Sequence, residues 1–122
     1  MKETACRSAE AFAVGEFQHG IMALADEGAL LVAISGSASC SDRLFSAAAA
    51  AKQCRARLVV VGEQGDERAA AVADELLELP RTSPLLSPIV ALAPLQLLAY
   101  HATVALDLNP DSPPNLVKTV VD

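Results

Sequence analysis

From Pro88 to Leu106 the chain carries no formal charge apart from a protonated His101, and its apolar residues fall on every side of a helical wheel. That is the pattern of a helix buried all round. A bilayer span needs about 20 such residues. Here Pro94, Gln96, Tyr100 and His101 interrupt the run, and no basic cluster or second span flanks it. The expectation is therefore a core helix and no membrane. Asn109-Pro110 and Pro113-Pro114 end it, because proline blocks helical continuation. Asn115 to Lys118 then falls on a constrained loop beside the core.

Upstream, the periodicity alternates between helix and strand. Met1 to Ser8 reads as the tail of a helix, and Ala9 to Ala13 as a brief extended segment. Val14, Phe17, Ile21 and Leu24 recur at spacings of three and four, which predicts a helix over 14–24 with a bend at Gly20. Ala29 to Ile34 is a continuous apolar run, the mark of a strand covered on both faces. Asp42 to Arg55 is a helix capped by Ser41, with alanines supplying propensity. Arg57 to Val61 is a second buried strand. Glu67 to Asp74 is a short helix, Glu75 to Leu79 a third strand at an edge, and Thr119 to Asp122 an extended end. This alternation predicts parallel βαβ units in an α/β domain. Three strands are few for a parallel sheet, so the chain either carries weak strands that its pattern does not reveal or is part of something larger.

At 122 residues the chain is expected to be one domain, 1–122. Only 3% of its residues are aromatic, so Ala, Val and Leu carry the interior, as layered α/β packing requires. A net charge of −6 with scattered basic residues argues against nucleic acid as partner. Cys6, Cys40 and Cys54 form no CxxC pair, which leaves them as small buried residues in a reducing cytoplasm. No signal peptide opens the chain.

The residues able to do chemistry are Glu3, Glu16, His19, His101 and Lys118. Glu16 and His19 have the i, i+3 spacing of carboxylate–histidine metal sites, but no second such motif is present, so no metal is expected. By spacing alone Glu16 is a solvated face, His19 a surface or capping residue, and His101 a hydrogen-bonded core histidine. Glu3 and Lys118 are then terminal charges. The loop from Ser35 to Ser41 leads from a strand into a helix, where backbone N–H groups can hold a phosphate. It lacks the lysine and spacing of a P-loop, and a plain polar cap explains it equally well.

Glu16-Phe-Gln-His19-Gly20, Pro94-Leu-Gln-Leu-Leu-Ala-Tyr100-His101 and Asn115-Leu-Val-Lys118 stand in an order and register that resembles the C-terminal sugar isomerase (SIS) domain of glutamine–fructose-6-phosphate aminotransferases. The related amino sugar phosphate deaminase–isomerases share that domain. Lys2-Glu3 stands where the family has a helix-ending Lys-Glu pair. The resemblance implies a three-layer α/β/α fold with a parallel sheet. It also implies a homodimer acting on a hexose phosphate or amino sugar phosphate, without a cofactor. Carried over residue by residue, Glu3 matches the base that moves a proton between C1 and C2. His19 matches the ring-opening residue, which acts in a neighbouring subunit's site. Lys118 matches the Schiff-base lysine, and Val117 a residue beside the sugar through its backbone. The chemistry is coherent: an ene-diol step needs a carboxylate near the migrating proton, ring opening suits an imidazole, and a desolvated lysine forms imines.

The pattern departs from the family at Ile21, where proline usually follows His-Gly. It departs again at Pro113-Pro114-Asn115-Leu116, which replaces Pro-Arg-Asn-Leu. The family pairs two SIS domains, and the phosphate-gripping loops of the first have no counterpart here. The chain thus reads as the back half of a tandem protein. The activity the resemblance implies is sugar-phosphate isomerisation coupled to amination or to deamination. The alternatives are a non-catalytic sugar-phosphate binding module and an inactive truncated fragment.

Overall fold

The structure, a computed structural model, describes residues 1–36, 41–114 and 116. The described chain divides into two compact units, residues 12–92 and residues 1–11 with 93 onward.

In the first unit β1 (Leu30–Ile34), β2 (Arg57–Glu63) and β3 (Glu75–Leu79) form a parallel sheet in that order. β2 is the centre and reads accordingly: Leu58, Val60 and Val61 are almost wholly buried. β3 pairs only with β2 among the described residues, the edge position expected from its charged, alternating sequence. The helices α3 (Ser41–Gln53) and α4 (Glu67–Val72) supply Phe45, Ala48 and Ala69 to one cluster with Ala33, Leu58 and Val60. Leu58 and Val60 share a sheet face because side chains alternate along a strand, so both helices cover that face. Small residues permit the approach: a Cβ on Gly62 would sit 3.5 Å from that of Ala69.

α2 (Val14–Gln18) is shorter than the expected helix over 14–24. Gly20 takes φ 143°, a conformation that side-chain-bearing residues avoid, and the chain re-forms beyond it as a 3₁₀ turn over Ile21–Leu24. The bend expected at Gly20 is present, but it divides the helix. Phe17 packs with Ala25, Ala51 and Ala56 in a second cluster at the end of α3. No strand forms over 9–13.

In the other unit α1 (Lys2–Ala5) is a single turn that ends at Cys6 in the left-handed region. α5 (Ser87–Ala105) contributes residues 93–105 to this unit and 87–92 to the first. Its length and apolar character match the expectation, but its burial does not. Ser87, Ala91 and Thr103 are buried, whereas Ile89, Leu92, Leu97 and Val104 are exposed. The helix is long and apolar enough to cross a membrane, and 11% of its hydrophobic window is buried. For Leu97 and Val104 the cause is geometric: among the described residues, 93–105 share their unit with residues 1–11 and the turns after Leu106, too little to surround a helix. His101 is accordingly exposed. It meets the Tyr100 ring edge-on at 5.3 Å instead of being a hydrogen-bonded core residue. Cys6 and Cys54 are also exposed, not buried, because both lie just past helix ends.

Candidate functional site

Glu3 lies in the one-turn α1, a short, polar opening segment that cannot bury much of itself, and its side chain is exposed. It lines an open cavity of about 420 Å³ within its unit, together with Lys2, Thr4, Gln96, Tyr100 and Pro110. Gln96 and Tyr100 come to the same cavity because a spacing of four residues puts them on one face of α5. Sequence reasoning gave these two no role at a site: they interrupt an apolar run and belong to one of the three family motifs. The signal available was their separation, two hydrogen-bonding side chains four apart on an otherwise oily helix. Thr4 also lines the cavity, and its hydroxyl is buried with no hydrogen-bond partner among the described residues. The Lys2 ammonium approaches the Glu10 carboxylate at 3.8 Å across an exposed surface, a contact worth little by itself.

His19 caps the C-terminal end of α2 and is exposed in the other unit. Its backbone N–H donates to the Glu16 carbonyl at 3.1 Å. Gly20 beside it permits the abrupt turn that leaves the imidazole at a helix end. Glu16 is exposed on α2, as a solvated face requires. Val117 and Lys118 lie outside the described residues, as does the expected extended end at 119–122.

Of the loop after β1, Ser35 and Gly36 are described and residues 37–40 are not. Gly36 sits beside the start of α5, where a Cβ would be 3.5 Å from the Ser87 hydroxyl oxygen. That hydroxyl donates to the Pro84 carbonyl at 3.1 Å, so it serves the local turn.

No family model matches the chain. It is 42% identical over 98% of its length to a glutamine–fructose-6-phosphate aminotransferase of a Synechocystis species, and 40% identical over the same share to that of Methanothermobacter thermautotrophicus. It spans 19% and 20% of those two proteins. Among solved structures it matches the C-terminal domain of glucosamine-fructose-6-phosphate aminotransferase from Francisella tularensis. There the TM-score is 0.82 with 28% identity, covering 92% of this chain and 32% of that one. The parallel α/β fold and the resemblance carried by the three motifs thus agree. The chain is a homologue of the C-terminal sugar isomerase (SIS) domain of the glutamine–fructose-6-phosphate aminotransferases.

Proposed function

We propose that the chain is the isomerase module of an enzyme that interconverts aldose and ketose forms of a hexose or aminohexose 6-phosphate, coupled to amination or deamination. Glu3 is the base that shuttles a proton between C1 and C2, and its place on the wall of an open cavity is the observation that carries the proposal. A carboxylate there can reach a carbon-bound proton of a sugar held in the cavity.

Lys118 forms the imine with the open-chain ketose, its amine attacking C2 and the carbonyl oxygen leaving as water. Val117 supports the sugar through its backbone. His19, exposed at the end of α2, opens the sugar ring in the site of a second copy, so the working form is a homodimer. One domain over 1–122 acting in the cytoplasm completes the proposal.

The test is borohydride trapping. The chain is incubated with fructose 6-phosphate, reduced, digested and analysed by mass spectrometry. A reduced hexose phosphate adduct on Lys118 is expected. No adduct, or one scattered over surface lysines, overturns the enzyme assignment.

A further inference from the structure

We infer that Gln96 and Tyr100 recognise the hydroxyl groups of the sugar in the cavity that Glu3 lines. The inference rests on the function proposed above and deepens it. α5 carries few polar side chains, and these differ in their surroundings. The Thr103 hydroxyl is buried and donates to the Ala99 carbonyl of its own helix at 2.7 Å. His101 is exposed and engages the Tyr100 ring. Gln96 and Tyr100 line the cavity, and no hydrogen bond involves either side chain among the described residues.

A carboxamide both donates and accepts, and so does a phenol. A sugar hydroxyl has the same dual character, so one wall bearing both groups matches a polyol. The Lys2 ammonium and the Glu3 carboxylate on the same wall are of opposite sign, so it is the neutral polar pair that distinguishes a polyol. The polyol end of the substrate occupies the cavity, with C1 and C2 toward Glu3.

The test is an NMR titration of the full chain with fructose 6-phosphate, with inorganic phosphate as the control. The side-chain amide signal of Gln96 is expected to shift saturably with the sugar phosphate and to stay in place with phosphate alone. Gln96→Leu and Tyr100→Phe are expected to weaken fructose 6-phosphate binding roughly 3- to 10-fold each, the loss of one hydrogen bond apiece. Both replacements are at exposed positions and keep the side-chain volume close to the original. Thermal unfolding of each variant verifies its fold, and if one fails to fold, the Gln96 amide of the unmodified chain decides. Saturable binding with that amide unmoved and both affinities unchanged overturns the inference and leaves the role of Glu3 standing. An absence of saturable binding by the unmodified chain overturns both.

Discussion

The Lys52 ammonium stands 2.9 Å from the Asp74 carboxylate and donates to the Val72 carbonyl at the same distance. The other oxygen of Asp74 accepts the Leu58 backbone N–H at 2.8 Å. Three elements, the end of α3, the start of β2 and the entry to β3, meet at this one carboxylate. The Lys52 hydrogen bond, then the Leu58 N–H, hold its pKa below the ordinary aspartate value, against a smaller opposing effect of desolvation.

The sign of the pH dependence follows. A carboxylate with a depressed folded pKa stabilises the fold above its unfolded pKa, about 3.9. That contribution is lost as the pH falls through the folded value. Asp74→Asn should therefore lower the urea midpoint at pH 7, and the gap from the unmodified chain should shrink below about pH 4. A gap that is constant with pH would contradict this account.

Asp66 caps α4, its side chain accepting from the backbone N–H groups of Arg68 and Ala69 at 3.0 and 3.3 Å. Asp66→Ala should cost about 1 kcal/mol, the usual loss for an N-cap. Chemical denaturation measures it, and Asp66→Ser should recover most of the loss.

At Gly20 no atom crowds the position of a Cβ, yet φ is 143°. Gly20→Ala should destabilise by roughly 1–3 kcal/mol through backbone strain alone. If the unfolding midpoint does not move, the divided helix is not a fixed feature.

Leu58 is 1% exposed at the centre of the sheet and touches the cluster that joins α3 and α4. Leu58→Ala should cost about 2–5 kcal/mol, measured by the shift in unfolding free energy.

Glu3→Gln should lower the exchange of sugar C1 and C2 protons with deuterated solvent by roughly 10²- to 10⁴-fold, the usual worth of a positioned base. Lys118 trapping by borohydride should survive, since imine formation does not use that proton. Exchange at the unmodified rate would remove Glu3 from the mechanism.

The parallel sheet was legible in the sequence because β1 and β2 are unbroken apolar runs. β2 is buried as such a run predicts, whereas β1, at an edge of the described sheet, leaves Leu30 and Ile34 exposed and is not covered on both faces. β3 was legible by its alternation. The shortness of α2 was not, because Phe17 and Ile21 keep helical spacing whether or not Gly20 breaks the backbone between them. The burial of α5 was misjudged for a different reason. Residues such as Leu97 and Val104 report how apolar a helix is, not how much of the described chain packs against it. Glu3 stood out only through its family motif. The cavity partners Gln96 and Tyr100 needed α1 and the turn at Pro110 to be placed in space.

The sheet is wound in one direction only. β1, β2 and β3 lie side by side in chain order, and both connecting helices cover the same face. Open α/β sheets usually hold ligands where strand order reverses and successive connections diverge to opposite faces, opening a crevice between them. The three described strands contain no such reversal, so no switch point of this kind lies among them. The chemistry proposed for this chain accordingly rests on helices and terminal segments, where a change of substrate could evolve without disturbing the strands.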